Sequence, residues 1–451
     1  MKRPFCLGLA GWLTTAGWLL GQAPSSPKVD KMTGETSIIQ AGYRPSTTQT
    51  TPESAPMPSG TPTTNGGMLA SCDCLNHQSC FAGGAFWFHT DYLLWWVKQG
   101  PNPEPLLTTG SPDAFVPGLI GEPGTGVLYG QDPIRFGTFS GIQLTAGAWL
   151  MGGQSLGLEA RAFVLGERQL TSQYQSNGQG APFLLRPFIN TQLKAEDVAT
   201  VTFPDLIAGG IQFTQSSQLW GSEFNIFHNL AADATSRFDL ILGFRYLDLQ
   251  ETSTTVEVYG PLAVEGNTVA FNGGSVGPGH LITVTDEFKA HNAFYGGQIG
   301  AKTVFNLGSW IIDVRYQLAL GANREELDVA GSSIQSSTTN VTQQTGVPGG
   351  ILAQTSNMGK RSSQSFSVVP SIELKVCYDL NANVRLHAGY SFLYWTSVMR
   401  PGDQIDRVID PTIVPTFDAF VPGAVSNRPM VLLNKSDFWA QGINFGFELR
   451  Y

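Results

Sequence analysis

The stretch Arg237–Leu249, which reads Arg-Phe-Asp-Leu-Ile-Leu-Gly-Phe-Arg-Tyr-Leu-Asp-Leu, decides the fold. Its apolar side chains recur at every second position, and charged residues or glycine fill most of the positions between them. Successive side chains of a β-strand point to opposite faces, so a period of two predicts a strand. One face is formed by Phe238, Leu240, Leu242, Phe244 and Tyr246, and the other by Arg237, Asp239, Gly243 and Arg245.

The same pattern predicts ten strands of 11 to 15 residues each. They are Phe86–Lys98, Thr138–Leu150, Ser155–Leu165, Gln218–Leu230, Arg237–Leu249, Asn292–Phe305, Ser309–Leu320, Ser365–Tyr378, Asn383–Thr396 and Asp437–Tyr451. At ~3.3 Å per residue and ~40° tilt, about ten residues cross the ~25 Å apolar band of an outer membrane. Strands of globular proteins are shorter, about five or six residues.

The connections between these strands alternate in length. Short ones of 4, 6, 3 and 4 residues separate long ones of 39, 52, 42, 44 and 40 residues. Outer-membrane barrels alternate in this way between periplasmic turns and outer loops. We therefore expect an all-β, closed antiparallel transmembrane barrel of about ten strands, or twelve if Thr200–Phe213 or Leu281–Phe288 also cross. The first and last strands then pair, which leaves no open sheet edge.

The composition agrees with this fold. Charged residues make up 14% of the 451 residues, against about 25% in soluble domains, while 52 glycines and many small polar residues fill the difference. A net charge of −9 gives no electrostatic reason to bind nucleic acid. The expected partner is outer-membrane lipid, since an exported chain without helical spans enters a membrane only as a closed barrel.

The N-terminal part of the chain precedes the predicted barrel, which covers residues 86–451. Met1–Ala23 has a basic start, an apolar stretch and a small-x-small end, which predicts a cleaved signal peptide; a retained anchor is the alternative. Residues 24–85 are rich in Pro, Ser, Thr and Gly and predict a disordered periplasmic linker.

Three cysteines, Cys72, Cys74 and Cys80, end the predicted linker. In an oxidising periplasm they predict a disulfide. A metal site with His77 is the alternative, but the spacing matches no standard zinc pattern. We therefore expect no metal and no cofactor.

The last predicted strand has one outward apolar face that ends in an aromatic residue. Phe445, Phe447, Leu449 and Tyr451 lie on that face, and Tyr451 ends the sequence. Alternate apolar residues that end in an aromatic residue predict a signal for the barrel-assembly machinery, and an ordinary amphipathic strand is the alternative. The expected location is the outer membrane of a bacterium with two membranes.

Charged residues fall on the inward face of the predicted strands. An unpaired charge on the lipid side would cost ~2–4 kcal/mol at the midplane, which makes the lumen its favourable location. These side chains either line a polar pore that selects ions or form an ion-pair network that holds a narrow barrel together. The set is Glu159, Arg161, Glu223, Asp239, Arg245, Lys302, Asp313, Arg315, Glu373, Lys375, Arg385, Glu448 and Arg450.

No motif predicts catalysis. The segment Gly153–Gly157 matches the hydrolase elbow pattern, but it lies in and beside a short turn between two strands, where that pattern needs a strand-to-helix turn. His89 and Asp91 share the inward face of the first strand without a Ser partner on a neighbouring strand. We expect that the protein is not an enzyme.

Two features of the long loops leave alternatives open. Residues Arg400–Arg407 begin the last loop with dense polar groups, which either fold over the barrel mouth or bind a partner. The sequence Asp113–Gly118 recurs as Asp418–Gly423, and this repeat is either a shared turn or a coincidence.

Three long motifs resemble the seventh of the numbered families of putative outer-membrane barrel porins. The first runs from Phe86-Trp87 through Asp91–Trp96 to Pro105–Thr109, the second from Gly389–Trp395 to Arg400–Arg407, and the third from Asp437 to Tyr451. The resemblance covers roughly residues 86–451. It implies an outer-membrane barrel and gives no functional residues to carry over.

The expected function is that of a porin-like barrel, which passes small solutes passively or gives structure to the outer membrane. The alternative is a surface binding or adhesion protein that acts through its long outer loops. A secreted β-sandwich would not explain the strand lengths or the aromatic outward faces.

Overall fold

A computed structural model of the protein describes residues 86–150, 154–339 and 344–451. The predicted signal peptide, the linker and Cys72, Cys74 and Cys80 lie outside these residues and stay predictions. In this part of the chain, no helix is long and apolar enough to cross a bilayer.

Ten of the strands, numbered here in chain order, form a closed antiparallel ring. They are β1 (Phe86–Val97), β4 (Thr138–Trp149), β5 (Leu156–Leu165), β9 (Ile207–Ala232), β10 (Ser236–Pro261), β13 (His280–Leu307), β14 (Trp310–Ser337), β16 (Gly359–Asp379), β17 (Val384–Val398) and β19 (Ser436–Arg450). Each pairs with the next, and β1 pairs with both β4 and β19. Phe86 and Tyr451 exchange two backbone hydrogen bonds of 3.1 and 3.0 Å at this seam.

The ten-stranded alternative is confirmed and the twelve-stranded one is wrong. Leu281–Phe288 forms the outer part of β13. Thr200–Phe213 contains the end of a further strand, Ala195–Thr202, and the start of β9. Neither segment crosses the membrane as a separate strand.

The alternating pattern places apolar side chains on the outside of the ring. Phe238, Leu240, Leu242 and Phe244 are 36–60% exposed, whereas Asp239 between them is buried. Because lipid surrounds the outside of a transmembrane barrel, this exposed stripe is the lipid-facing band. From Phe238 to Tyr246 the strand rises roughly 20 Å along the barrel axis at ~3.3 Å per residue and ~40° tilt.

An aromatic girdle marks the outer edge of the lipid-facing band. The Tyr246 ring lies 5.0 Å from the rings of Trp220 and Tyr295 on the two neighbouring strands. Immediately beyond it, Nε2 of His291 lies 2.8 Å from the carboxylate of Asp248 on the same outer face. Aromatic residues followed by charges are typical of a membrane–water interface.

The barrel wall has two heights. The strands β9, β10, β13 and β14 have 26 to 28 residues, whereas β1, β4, β17 and β19 have 12 to 15. We call the long strands, together with β16 (21 residues), the tall wall. The predicted strand starts at Gln218, Asn292 and Ser365 are therefore too late, and the predicted strand ends at Leu249 and Leu320 are too early. Part of each predicted long loop beside them is strand.

The physical reason is a reversal of the pattern beyond the girdle. On the tall wall above the membrane, the outward positions are mostly polar, with Val258 and Leu281 as exposed exceptions. The inward positions include Tyr259, Val284 and Leu327, all buried. The alternation of outward apolar residues stops at the membrane surface, although the strands continue, so it does not predict their outer parts.

The outer loops contribute the remaining strands. Five of them form a second sheet, the outer sheet, made of β2 (Pro105–Thr109), β3 (Gly126–Gly130), β7 (Leu184–Asn190), β8 (Ala195–Thr202) and β18 (Val408–Ile409). Two others extend the wall and two form a hairpin: β6 (Arg168–Gln175), β15 (Gln344–Pro348), β11 (Val269–Phe271) and β12 (Gly274–Val276). Two 3-10 helices, Pro401–Gln404 and Pro411–Ile413, flank β18.

The outer sheet packs inside the tall wall. Its Leu107, Leu184 and Phe188 share one buried apolar cluster with Phe213 and Phe288 of the wall. Two sheets that bury apolar faces against each other form a sandwich, so the outer half of the molecule has a core of its own.

Candidate functional site

The predicted inward charges all lie in the barrel interior, and all have an ion-pair partner. The side chains of the thirteen residues are at most 19% exposed. The pairs include Arg161–Glu373, Arg315–Glu159, Arg245–Glu223, Lys302–Asp313, Arg237–Asp239, Lys375–Glu373, Arg385–Glu448 and Arg450–Glu448. We call the thirteen residues together with their ion-pair partner Arg237 the ion network.

Two of these pairs cross the lumen. Arg161 on β5 lies 2.8 Å from Glu373 on β16, and these strands are not neighbours in the ring. Arg315 on β14 reaches Glu159 on β5 with two hydrogen bonds, of 2.7 and 3.2 Å. A bidentate Arg–carboxylate pair fixes geometry as well as charge. The lumen is therefore bridged by side chains at this level.

Asp91 is the main residue that the predicted set left out. Its carboxylate is fully buried and lies 2.6 Å from Nε2 of His387 and 3.4 Å from Nζ of Lys375. Nε2 of Gln143 donates a further hydrogen bond of 3.3 Å. The inward position of Asp91 was visible from its period-two spacing, but His387 is two strands away in the ring and could not be paired with it from sequence.

Asp379 is a second omission, at the end of the barrel that carries the short turns. Its carboxylate oxygen Oδ1 lies 2.7 Å from Arg385 Nε and 2.8 Å from Arg450 Nη2. Asp379 is the last residue of β16, and the alternating pattern is least able to predict the direction of a side chain at the end of a strand. The sequence signal that could find it is the density of opposite charges at Arg385 and Arg450.

An apolar layer lies directly beyond the ion network. Its residues are at most 8% exposed, and each of the ten ring strands contributes at least one. The fully buried rings of Phe294 and Trp395 lie 6.2 Å apart in an edge-to-face arrangement. The layer is formed by Leu93, Trp95, Val97, Phe136, Phe139, Phe163, Leu165, Leu219, Leu247, Leu249, Phe294, Ala319, Val369, Leu393, Trp395, Val398, Phe438 and Ala440.

The start of the last loop closes over this layer. Arg400 is buried, lies 5.4 Å above the ring of Phe438 and donates hydrogen bonds of 2.8 and 2.6 Å to Glu251. Arg407 lies 2.7 Å from Glu196 of the outer sheet. Of the two alternatives for Arg400–Arg407, the structure shows that the segment folds over the interior of the barrel.

The outer sheet is tied to the tall wall by one buried arginine. Nη1 of Arg186 on β7 lies 2.8 Å from Asp286 on β13 and 3.5 Å from Glu257 on β10. Both carboxylates lie beyond the aromatic girdle, outside the membrane. Burial raises the pKa of Glu257 to about 7, so Asp286 is the principal counter-charge of Arg186.

The repeated hexapeptide is a shared turn. The N–H of Leu119 donates to the carbonyl of Val116, and the N–H of Ala424 donates to that of Val421, at 3.3 and 3.0 Å. Gly118 has φ +76° at the third position of this turn, and the equivalent glycine of the second copy has φ +82°. Pro followed by Gly with positive φ is the type II turn.

The predicted assembly residues lie where the pattern placed them. Phe445, Phe447 and Tyr451 are exposed on the lipid face, and Leu449 on the same face is half-buried. Their role as an assembly signal stays a prediction. Among residues 86–150, 154–339 and 344–451, no group of three or more His, Cys, Asp or Glu side chains could hold a metal ion.

A closed ring with an apolar outside and a charged interior defines the class of outer-membrane β-barrels. The model of the family described as putative beta barrel porin-7 matches residues 87–451, and the chain belongs to that family. No curated relative matches the sequence.

Several solved outer-membrane proteins are similar to the chain. The protease OmpT of Escherichia coli has 10% identity and a TM-score of 0.35, with 81% of this chain and 97% of OmpT covered. The toluene transporter TodX of P. putida has 10% identity and a TM-score of 0.20, with coverage of 81% and 90%. An anion-selective porin from Comamonas acidovorans has 9% identity and a TM-score of 0.12, with coverage of 81% and 98%. These identities are too low to carry an activity to this chain.

Proposed function

We propose that the protein is a closed-lumen barrel that anchors an ordered outer sheet at the cell surface, and that it does not pass solutes. The apolar layer carries this proposal. In an open pore, the residues that line the lumen are in contact with water, but the layer residues contributed by all ten strands are at most 8% exposed. An apolar constriction of this kind also resists wetting by ions.

The ion network makes spontaneous opening costly. Separating Arg161 from Glu373, or Arg315 from Glu159, would leave buried charges without partners. Breaking one buried pair by removing a partner typically costs about 3–5 kcal/mol. Both pairs cross the lumen, so a wider channel would have to break both.

The same burial argues against catalysis. The Asp91–His387 pair has the geometry of an acid–base pair, but both side chains are at most 1% exposed. A substrate would have to displace the ion network to reach it. We therefore propose that this pair is structural.

Planar-bilayer recording of the purified, folded protein tests the proposal. We expect no discrete conductance steps, because the apolar layer excludes hydrated ions. Reproducible steps in the wild-type protein would contradict a closed lumen and favour passive solute passage. Heat-modifiable mobility of the same sample would establish that the barrel is folded.

A further inference from the structure

A cavity of about 390 Å³ occupies the barrel interior on the short-turn side of the ion network. We call it the vestibule. Its lining comes from all ten ring strands and two short turns, and it includes Trp87 of β1, Trp149 of β4 and Asp313 of β14. Small-molecule sites typically measure ~300–1,000 Å³, so the vestibule has the size of a ligand site.

Two glycines shape the aromatic wall of the vestibule. Gly147 pairs with Trp87 across strands, and a Cβ at Gly147 would lie 2.1 Å from the indole ring. Gly157 pairs with Trp149 in the same way, and a Cβ there would lie 2.7 Å from that ring. Each indole therefore lies over the backbone of the next strand.

The two indoles have different surroundings in the vestibule. The guanidinium carbon of Arg237 lies 4.3 Å from the centre of the Trp149 ring and covers it. Trp87 has its ring centre 5.1 Å from that of Trp149 and is only partly buried. Trp87 is thus the aromatic surface on which a ligand could stack.

The charges of the vestibule balance one another. Lys302 and Asp313 lie 3.2 Å apart, and Arg385 and Asp379 lie 2.7 Å apart, with side chains 16–29% exposed. Four cationic side chains and five carboxylates line the cavity, and Glu159, the fifth carboxylate, is bound to Arg315 deeper in the lumen. A charged ligand would therefore meet a like charge on nearly every side, which is costly.

A neutral ligand with many hydroxyl groups fits this lining. Paired charges hold each other in place and still offer further donors and acceptors, and such charge-assisted hydrogen bonds are strong. The C–H face of a sugar ring is apolar and can stack on an exposed indole. A neutral saccharide combines both properties, whereas a hydrocarbon would leave the remaining donors and acceptors of these pairs without partners.

We propose that the vestibule binds a neutral disaccharide, with one ring on Trp87 and hydroxyl groups bonded to the Lys302–Asp313 and Arg385–Asp379 pairs. The ligand enters from the periplasmic end, so its source is a cell-wall glycan or a free sugar. This site does not depend on whether the lumen beyond it is closed.

Isothermal titration calorimetry of the folded protein in detergent tests the proposal. The probes are N,N′-diacetylchitobiose, which represents an amino-sugar glycan, and cellobiose, which represents a free hexose disaccharide. We expect saturable binding of at least one probe with roughly millimolar affinity. Binding of diacetylchitobiose alone indicates a wall glycan as the source, and binding of cellobiose indicates a free sugar.

The variant Trp87→Ala should weaken binding at least tenfold, because it removes the stacking surface. Trp310→Ala is the matched control, since Trp310 lies near the same end of the barrel but on the lipid face. If Trp87→Ala fails to fold by heat-modifiable mobility, Asp313→Asn tests the polar side of the site and should also weaken binding. Absence of saturable heat with both probes, or equal loss in Trp87→Ala and Trp310→Ala, would overturn the proposal. A conducting wild-type barrel would overturn the closed lumen and leave this test unaffected.

Discussion

At the residue scale, Asp286 joins three parts of the outer half. Its Oδ1 accepts hydrogen bonds of 2.9, 3.0 and 2.8 Å from the backbone N–H groups of Ile351, Leu352 and Ala353. Its Oδ2 lies 2.8 Å from Arg186 of the outer sheet. Asp286 is 1% exposed, so these contacts are made away from water, where an unpaired charge is most costly.

Asp286→Asn should loosen the outer sheet without opening the barrel. The amide keeps the shape but loses the charge that Arg186 needs, and we expect a cost of about 3–5 kcal/mol in local stability. Hydrogen exchange of the β7 amides should become faster, while heat-modifiable mobility stays as in the wild type. Asp328→Asn is the control, because Asp328 is 36% exposed and lies 3.9 Å from Lys360, and such a solvent-exposed contact contributes little to stability. Equal exchange rates in the two variants would contradict this role of Asp286.

At the element scale, the strands fit closely at the seam between β1 and β19. A Cβ at Gly446 would lie 2.2 Å from the Thr90 carbonyl oxygen and 2.7 Å from Nε2 of His387. Gly446 is also paired with Asp91 across the seam. The absence of a side chain here lets the strands approach and leaves room for the Asp91–His387 contact.

Gly446→Val should weaken closure of the barrel. The added side chain has to displace either the β1 backbone or His387, and overpacking of this kind costs about 1–3 kcal/mol. We expect a smaller heat-modifiable fraction and a lower temperature for loss of the folded form in detergent. Gly297→Val is the matched control, because a Cβ at Gly297 meets no atom within 4 Å. A stable Gly446→Val barrel, or a Gly297→Val barrel damaged to the same degree, would argue against this account of the seam.

The elements also show what a sequence pattern can and cannot predict. The alternation seen around Phe238 and Leu242 located all ten ring strands, because lipid requires apolar side chains on the outer face of every strand that crosses the membrane. The same alternation offered Leu281–Phe288 only as a possible separate strand and did not join it to β13, because Val284 and Phe288 face an inner core there. The outer sheet was missed as well, because its strands are short and two of its pairings, β2–β7 and β7–β18, join segments far apart in the chain.

At the scale of the whole molecule, the interior is stacked in levels: the vestibule, the ion network, the apolar layer and the outer core. The alternation of inward and outward positions along each strand identified the members of the ion network. Their pairing could not be predicted, because partners such as Arg161 and Glu373 are 212 residues apart and meet only in the closed ring. The apolar layer was not predicted. Inward positions such as Phe294 and Trp395 are apolar, which a pattern of apolar-out and polar-in does not anticipate.

Removing the largest side chains of the apolar layer should open the barrel. Phe294 and Trp395 are fully buried and face each other, so the double variant Phe294→Ala/Trp395→Ala creates a void across the lumen. We expect small discrete conductance steps in planar bilayers, at a cost of about 3–5 kcal/mol for each truncation. Tyr316→Ala/Phe366→Ala is the control, because both side chains are exposed on the lipid face. A folded double variant that stays silent would mean that another level closes the lumen.

The unequal strand lengths give the molecule a front and a back. On the side of β9 to β14, a neighbour in the plane of the membrane meets a mostly polar strand surface that rises above the bilayer. On the side of β17, β19, β1 and β4, the strands stop near the membrane surface and only loop segments rise beyond them. Lateral neighbours and molecules arriving from outside the cell therefore encounter different chemistry depending on their direction of approach, which a barrel of even height cannot provide.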